Sequence, residues 1–175
     1  MNEHVAIRDI LKDDIDWLLE LNNQSVPHVN HLARSDLESL LAKTAYARMI
    51  SLGEVPAGAL IALWPGLDYA SANYRWFSQR FDHFLYVDRV MLAETAKGQG
   101  LGRAFYDDLE RFGRDQGAPM IALEVNSKPP NPRSIAFHEG LGFKRVGELD
   151  HDGGSKRVVL MTKPLVHRSI QSVQL

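Results

Sequence analysis

The sequence predicts a single α/β domain built on one mixed β-sheet, with about seven strands and about four helices in mixed order. Three observations predict this fold class. The length of 175 residues, of which 45% are hydrophobic, suits one domain and leaves little room for a second. Segments of strand and helix character alternate along the chain, and neither a repeat period nor a linker interrupts them. Residues 1–175 are therefore expected to form one domain that ends in a tail over residues 166–175.

The predicted strands are short runs rich in β-branched and aromatic residues. They cover residues 5–10, 46–52, 55–64, 84–92, 120–125, 144–149 and 156–161. Gly53-Glu54 and Asp152-Gly153 each stand between two of these runs, as expected of tight turns. The sheet is therefore expected to contain two hairpins.

The first two predicted helices each follow a start signal and carry apolar residues at helical spacing. Asp13 and Asp14 open the first helix, which Pro27 ends. Ser35 and Glu38 form a capping box at the start of the second, in which the hydroxyl and the carboxylate each satisfy an orphan amide of the first turn.

The last two predicted helices lie in the second half of the chain. One follows the glycine-rich segment 98–102, and the other begins at Asn131-Pro132, which supplies a cap residue and a first-turn proline. Residues 65–82 are rich in aromatic side chains and arginine, and no periodicity can be assigned to them. We expect four helices in all.

The composition excludes several classes of function. Lys and Arg number 20 against 22 Asp and Glu, and the formal charge of -2 provides no general attraction to nucleic acid or to an anionic membrane. Cysteine is absent, which excludes thiol nucleophiles and thiolate zinc sites. His28 and His31 lack an evident third ligand, so no metal site is expected. We expect a cytoplasmic protein, since residues 1–14 do not resemble a secretory signal and prolines interrupt the longest apolar stretch, 55–67.

Three glycines, Gly98, Gly100 and Gly102, lie between a predicted strand and a predicted helix. Because glycine has no Cβ, the backbone can turn tightly here and approach a ligand closely. The unpaired amides and the dipole of the following helix favour a phosphate or pyrophosphate. An ordinary glycine turn is the alternative. The segment lacks both the Gly-Lys-Ser/Thr of a P-loop and the Gly-x-Gly-x-x-Gly of dinucleotide-binding proteins.

Two motifs occur in a defined order. The first is Lys97-Gly98-Gln99-Gly100-Leu101-Gly102, and the second is a strand at 124–126, a helix begun by Asn131 and the pair Gly142-Phe143. Together they resemble the GNAT superfamily of acyl-CoA-dependent N-acetyltransferases, whose pyrophosphate loop reads Gln/Arg-x-x-Gly-x-Gly/Ala. The resemblance implies that the central strands splay apart and that an amine directly attacks the thioester of acetyl-CoA.

The resemblance also implies which residues bind the coenzyme. Backbone groups of the strand at 90–92 would hold the pantetheine arm and polarise the thioester carbonyl. The glycine segment would hold the pyrophosphate. The implied coenzyme-binding residues are Val90, Met91, Leu92, Lys97, Gly98, Gln99, Gly100, Leu101, Gly102, Arg103, Asn126, Asn131 and Ser134.

Three side chains are candidates for catalytic proton transfer. The resemblance places His138 where the family commonly has a Tyr that protonates the leaving sulfur, and histidine can donate a proton near neutral pH. A structural histidine is the alternative. Asp88 and Glu124 are candidate bases for the amine, and strand alternation puts Asp88 on one face with Tyr86 and Val90. For each carboxylate, an ion pair with a nearby Arg or a turn cap is the alternative.

The acceptor is expected to be a primary amine of a small molecule or a peptide. Residues 22–28 and the aromatic segment 69–81 are candidate walls of its pocket; the second could equally be a lid, a contact between two copies in a homodimer, or core packing. A rival function is a catalytically silent acyl-CoA-binding module that senses the cofactor or regulates a partner. A protein that binds phosphate or a nucleotide other than CoA is a third interpretation.

Overall fold

A computed structural model, which describes residues 4–166, confirms the predicted mixed sheet. Its strands are β1 (Val5–Asp9), β2 (Tyr46–Leu52), β3 (Val55–Leu63), β4 (Leu85–Leu92), β5 (Met120–Lys128), β6 (Lys144–His151) and β7 (Lys156–Pro164). They lie in the order β1-β2-β3-β4-β5-β7-β6, and all neighbours are antiparallel except β4 and β5. Both predicted hairpins are present, as β2–β3 and β6–β7. The predicted tail lies outside the described residues except for residue 166.

Helices cover both faces of the sheet. They are α1 (Ile15–Gln24), α2 (Arg34–Leu41), α3 (Ala72–Ser78), α4 (Leu101–Asp115) and α5 (Pro132–Gly140). On one face, Phe105 and Leu109 of α4 are buried in a core cluster that also contacts α5. On the other face, α1, α2 and α3 bury Leu18, Leu37 and Phe77 in a second cluster. In the described part of the chain, none of the helices is long and apolar enough to cross a membrane.

The helix count exceeds the predicted four because α3 lies inside the segment to which the sequence assigns no period. Ser71 caps this helix, since its hydroxyl accepts a hydrogen bond from the Tyr74 amide at 3.2 Å. Tyr74 and Phe77 are both buried. With seven residues, the helix is too short to repeat its apolar positions, and tertiary packing rather than periodicity stabilises it.

The predicted capping box of α2 is wrong. The helix begins at Arg34 with Ala33 as its cap position, so Ser35 lies within the first turn. The Asp36 carboxylate accepts a hydrogen bond from the Ala33 amide at 3.4 Å, and Glu38 pairs with Arg34 at 3.2 Å. An acidic residue at the third helical position can reach back to the cap amide whatever the cap residue is. The acidic half of the capping box is therefore present two residues earlier than predicted, at Asp36 instead of Glu38.

The two central strands separate soon after they meet. β4 and β5 pair only at Leu85 with Ile121 and at Tyr86 with Ala122, although both strands continue well beyond these residues. This gap confirms the predicted splay. It leaves the remaining edge of β4 without a strand partner in the described chain.

A β-bulge at Asp88 interrupts β4 beside the gap. The residues on either side of Asp88 oppose adjacent positions of β3, so Asp88 has no partner of its own there. The extra residue reverses the alternation: Tyr86 belongs to the cluster under α1–α3, whereas Val90 packs against the cluster under α4. The predicted common face of Asp88, Tyr86 and Val90 is therefore wrong, because alternation assumes an unbroken strand.

Candidate active site

The gap between β4 and β5 opens into a cleft of about 1360 Å³. The end of α1 and the loop that follows it, β4, β5, and the first turns of α4 and α5 line the cleft. All of the predicted site residues except Gln99 lie on its walls. The Gln99 side chain instead donates a hydrogen bond to the Thr95 carbonyl at 3.0 Å. The splay therefore brings together residues from both predicted motifs.

One end of the cleft is formed by the glycine turn that joins β4 to α4. Gly98 and Gly100 have φ values of +80° and +77°, a conformation that residues with a Cβ rarely adopt. Gly100 caps α4, and Ala104 is the first residue whose amide donates back to the Gly100 carbonyl, at 3.2 Å. The amides of the first turn therefore have no acceptor within the helix. This arrangement suits a bound phosphate.

Three cations surround the glycine turn. Lys97 pairs with Glu94 in the same loop. Arg103 in the first turn of α4 and Arg133 in the first turn of α5 are exposed, and within residues 4–166 neither forms a hydrogen bond or an ion pair. Two guanidinium groups are thus available to an anionic ligand at this end of the cleft.

Glu124 lies on β5, deeper in the cleft and partly exposed to it. The Tyr86 hydroxyl donates to both carboxylate oxygens, at 2.8 and 3.0 Å. Burial raises the pKa of Glu124 to about 7, the nearby charge of Asp88 also raises it, and hydrogen bonds from Tyr86 and Asn73 oppose the rise. A carboxyl group with this pKa can accept and release a proton at neutral pH.

Asp88, the second candidate base, is fully engaged. Its side chain is 5% exposed; one oxygen accepts from Arg89 at 2.7 Å, and the other accepts from the Tyr69 hydroxyl. Arg89 in turn donates to Asn22 at 2.5 Å and to Asn30 at 3.2 Å. The pair thus ties β4 to the end of α1 and to the loop after it. This geometry makes Glu124 the better candidate of the two.

His138 is buried in α5, with both ring nitrogens bonded. Nδ1 lies 2.8 Å from the Ser134 carbonyl, which can only accept, so this nitrogen carries a proton. Nε2 lies 2.8 Å from the Tyr106 hydroxyl of α4, which donates to it when the ring is neutral. Burial lowers the pKa of His138. The neutral ring is therefore the favoured form near neutral pH.

The loop between α1 and α2 crosses the cleft near the predicted asparagines. Asn131 caps α5 by accepting from the Ser134 amide at 3.4 Å, and its amide group lies 3.2 Å from His28 Nδ1. Asn126 donates to the Pro27 carbonyl at 3.4 Å. Residues 24–26 and 28–30 therefore line the cleft, and hydrogen bonds with both asparagines hold this loop in place. A role of 22–28 as a wall of the acceptor pocket stays a prediction.

The aromatic segment has two roles. Residues 69–73 line the cleft, where the Tyr69 hydroxyl contacts Asp88. The α3 helix that follows packs Tyr74 and Phe77 into the core. Core packing is therefore confirmed for α3, whereas a role of residues 69–73 as a wall of the acceptor pocket stays a prediction.

Sequence reasoning missed the side chains that bond the candidate catalytic groups. Tyr106 lies 32 positions before His138, and Tyr86 lies 38 positions before Glu124. No local pattern links residues so far apart, because register and helix packing bring them together. Among the residues that the structure describes, no three His, Cys, Asp or Glu side chains are placed to hold a metal ion.

Solved structures with this fold include several acetyltransferases. The ribosomal-protein-S18-alanine N-acetyltransferase from Escherichia coli matches with a TM-score of 0.72 at 15% identity, over 98% of this chain and 100% of that chain. Ard1 from Thermoplasma volcanium gives 0.76 at 15% identity, over 93% and 99%. Arabidopsis thaliana NAA60 in complex with acetyl-CoA gives 0.72 at 16% identity, over 92% and 99%. At these identities the likeness concerns the fold.

The family follows from the sequence match. The profile of the Acetyltransferase (GNAT) family matches residues 16–143, which is well over half of the 175 residues. The match includes β4, the glycine turn, α4, β5 and α5, and so covers both motifs on which the resemblance rests. The chain belongs to the GNAT family of acetyltransferases.

Proposed function

We propose that this protein transfers the acetyl group of acetyl-CoA to a primary amine of a small molecule or a peptide by direct attack. One observation carries the proposal: a single cleft holds a glycine turn with free helix amides at one end and, deeper inside, a carboxyl group whose pKa is about 7. The first suits the diphosphate of the coenzyme, and the second suits a base for the amine.

The residues around the glycine turn fit coenzyme A. The first-turn amides of α4 and the positive end of its dipole favour the pyrophosphate. Arg103 and Arg133 offer guanidinium groups to the phosphates, and Lys97 adds a third cation. The unpaired edge of β4 from residue 87 onward offers amides and carbonyls to the pantetheine arm. Asn126, Asn131 and Ser134 lie on the facing wall.

In this proposal Glu124 accepts the proton that leaves the amine. When bound, acetyl-CoA supplies a thioester carbonyl open to attack and a thiolate leaving group. An α-amino group has an unperturbed pKa of about 7.7 to 8.0, so a carboxylate with a pKa near 7 can take its proton with little loss of free energy. Amides on the free edge of β4 would stabilise the oxyanion.

We propose that Tyr106 and His138 act as one unit beside the leaving sulfur. The neutral imidazole holds the Tyr106 hydroxyl through Nε2, and the Ser134 carbonyl fixes the tautomer through Nδ1. Both side chains line the cleft wall, where the Tyr106 hydroxyl would give its proton to the departing thiolate and regain one from solvent. His138→Phe and Tyr106→Phe should each lower kcat by about tenfold or more. Because the two residues act together, the double variant should lose little more than either single variant, and an unchanged kcat and pH profile in His138→Phe would contradict the role.

The nature of the acceptor is supported by the structural neighbours. The Escherichia coli protein is described as a ribosomal-protein-S18-alanine N-acetyltransferase, and Naa20 of Chaetomium thermophilum forms a complex with a bisubstrate analogue. The cleft of this chain continues past Glu124 between the α1–α2 loop and residues 69–73, where an amine can enter. We therefore propose that the amine approaches from this side.

The test is turnover by the purified full chain with acetyl-CoA and a panel of amines, followed by thiol release and by the mass of the product. Glu124→Gln should lower kcat/KM at pH 7 by about a hundredfold or more. The control variant Glu54→Gln, in an exposed turn, should behave as the wild type. Tight CoA binding without acetylation of any amine would favour the silent module, and a thermal shift with ATP or NAD but none with CoA would favour the third interpretation.

A further inference from the structure

We propose that the acceptor carries a carboxylate close to its reacting amine and that Lys156 binds this carboxylate. The inference rests on the proposed function, since it assigns the amine to Glu124. It names the substrate class from the charges on the face of the sheet that α1–α3 cover, opposite the face that α4 covers.

Lys156 is the first residue of β7 and is half-buried in the cleft wall. Every second side chain of a strand points to the same face, so Lys156 shares its face with Val158 and Leu160. Both of these residues are buried in the cluster under α1–α3. Leu160 lies directly opposite Glu124 in the pairing of β5 with β7. Lys156 and Glu124 therefore project from the same face of the sheet into the same part of the cleft.

Lys156 has no partner among the described residues. Its ammonium makes neither a hydrogen bond nor an ion pair, although other basic side chains of the cleft wall are bonded. Arg89 donates to three side chains, Lys43 donates to the Asp68 carbonyl at 3.3 Å, and His151 lies 2.8 Å from the Asn73 side-chain oxygen. Keeping an ammonium half-buried and unpaired costs free energy, which a bound anion would recover.

The separation of Lys156 from Glu124 fits a ligand that lies between them. The two side chains form no ion pair, yet the Lys156 charge is near enough to lower the pKa of Glu124. A molecule with an ammonium at one end and a carboxylate at the other can place each charge against its opposite. An amine acceptor without a carboxylate would leave Lys156 unpaired.

The anion should carry a single charge. Asp88 is compensated by Arg89, but Glu124 and Asp152 add negative charge around Lys156 in the cleft wall. A phosphate with two charges would meet these carboxylates with only one free ammonium to offset them. A carboxylate matches one ammonium, and it does not need the paired donors of a guanidinium.

Two sources supply this chemistry: a free amino acid, and a peptide whose second residue is Asp or Glu. The test uses a pair of acceptors for each. The first pair is L-alanine and L-alaninamide; the second is Ala-Glu-Ala-Ala and Ala-Gln-Ala-Ala, both with an amidated C-terminus. Within a pair the acceptors differ in the carboxylate. The ratio of their kcat/KM values is compared between the wild type and Lys156→Gln, so that differences in intrinsic amine reactivity cancel.

We expect the wild-type ratio of carboxylate to amide to exceed the Lys156→Gln ratio by about tenfold or more in at least one pair. The pair that shows the effect identifies the source. Lys144→Gln, an exposed lysine of β6, is the matched control and should keep the wild-type ratio. If the acceptor is a peptide, the wild type alone should already prefer the Glu peptide to the Gln peptide, because the two share the same α-amino group; this comparison does not depend on how well the variant folds.

Two kinds of failure are distinguishable. If Lys156→Gln keeps the wild-type ratio in both pairs, the carboxylate assignment is overturned and the acetyltransferase proposal stands. If no amine of any kind is acetylated while the chain is folded, the proposed function itself is wrong and the inference falls with it.

Discussion

At the scale of single residues, the chemistry of the cleft depends on an imbalance around Glu124. Burial and the charge of Asp88 favour the protonated carboxyl group, while hydrogen bonds from Tyr86 and Asn73 favour the carboxylate. The two tendencies leave the pKa at about 7. The charge of Lys156 also favours the carboxylate. Asp88 is instead bonded by Arg89 at 2.7 Å and by the Tyr69 hydroxyl, which leaves Glu124 as the carboxyl group available to a substrate.

Tyr86→Phe tests this balance. The Tyr86 hydroxyl stabilises the charged form of Glu124, so its removal should raise the pKa further, by about one unit for a hydrogen bond to a charged group. If the carboxylate is the active form, the rising limb of the pH–rate profile moves to higher pH. The rate should fall several-fold at pH 7 and recover above pH 8.5.

Tyr46→Phe is the matched control. Tyr46 is also a buried tyrosine whose hydroxyl donates to a carboxylate, that of Asp108, at 2.8 Å, but it lies outside the cleft. Loss of the Tyr46 hydroxyl should reduce the stability of the protein without moving the rising limb of the pH–rate profile. If the rising limb of the pH–rate profile stays in place in Tyr86→Phe, or moves equally in both variants, Glu124 does not set the pH dependence of the rate.

The sequence identified the three candidate catalytic residues but not their states. His138 was found from its position in a helix motif, whereas its partner Tyr106 belongs to another helix. Similarly, only the pairing of strands shows that Tyr86 reaches Glu124 and that Arg89 compensates Asp88. A residue type and a motif predict which group is present, but its pKa depends on neighbours that are distant along the chain.

At the scale of elements, the site depends on how β4 pairs with its neighbouring strands before and after the bulge at Asp88. Before Asp88, the strand pairs with both β3 and β5 and closes the sheet. After it, the strand keeps β3 and leaves its other edge free, and then turns through the glycines into α4. The first segment fixes the base of the cleft, and the second offers backbone donors to a ligand.

Gly100→Ala tests the glycine turn. A Cβ at Gly100 would meet nothing within 4 Å, so the cost of the substitution arises from the φ of +77°. An alanine there is strained by roughly 1–2 kcal/mol, and relaxation of the turn would rotate the amides that follow. We expect KM for acetyl-CoA to rise by about tenfold, with a smaller change in kcat, in steady-state kinetics.

Gly66→Ala controls for the strain itself. Gly66 has a φ of +87°, and it too has open space around the position of a Cβ, but it is not part of the cleft. It should lose similar stability and keep the wild-type KM. Equal KM values in Gly100→Ala and the wild type would mean that this turn does not hold the coenzyme.

Element prediction succeeded where a strong local signal exists. The glycine turn, α4 and α5 carry caps, prolines or long apolar stripes, and all were expected at their observed places. α3 and the bulge were not expected. A helix of seven residues shows no period, and a bulge is defined by the partner strand, which a single strand sequence does not reveal.

At the scale of the whole molecule, the open sheet creates the site and also weakens the fold. The two core clusters stabilise both faces of the sheet, but the gap between β4 and β5 forgoes strand pairing and exposes polar groups at the centre. Glu124 adds to the cost, because a half-buried carboxyl group is less stable charged than in water. A site that needs a reactive carboxylate is thus expected to reduce the stability of the protein that carries it.

The dependence of stability on pH tests this last point. The pKa of Glu124 is about 7 in the folded protein, against 4.5 as its ordinary value. Because the folded pKa is raised, the favourable contribution of the protonated form is complete below pH 4.5 and is lost as pH rises through 7. The full difference corresponds to about 3 kcal/mol, and partial exposure of the side chain reduces it. Glu124→Gln removes the charge, so its Tm should exceed that of the wild type by several degrees at pH 8.5 and match it at pH 5. Glu54→Gln should show no such divergence, and an equal Tm difference at both pH values for Glu124→Gln would mean that the carboxylate carries no penalty in the folded state.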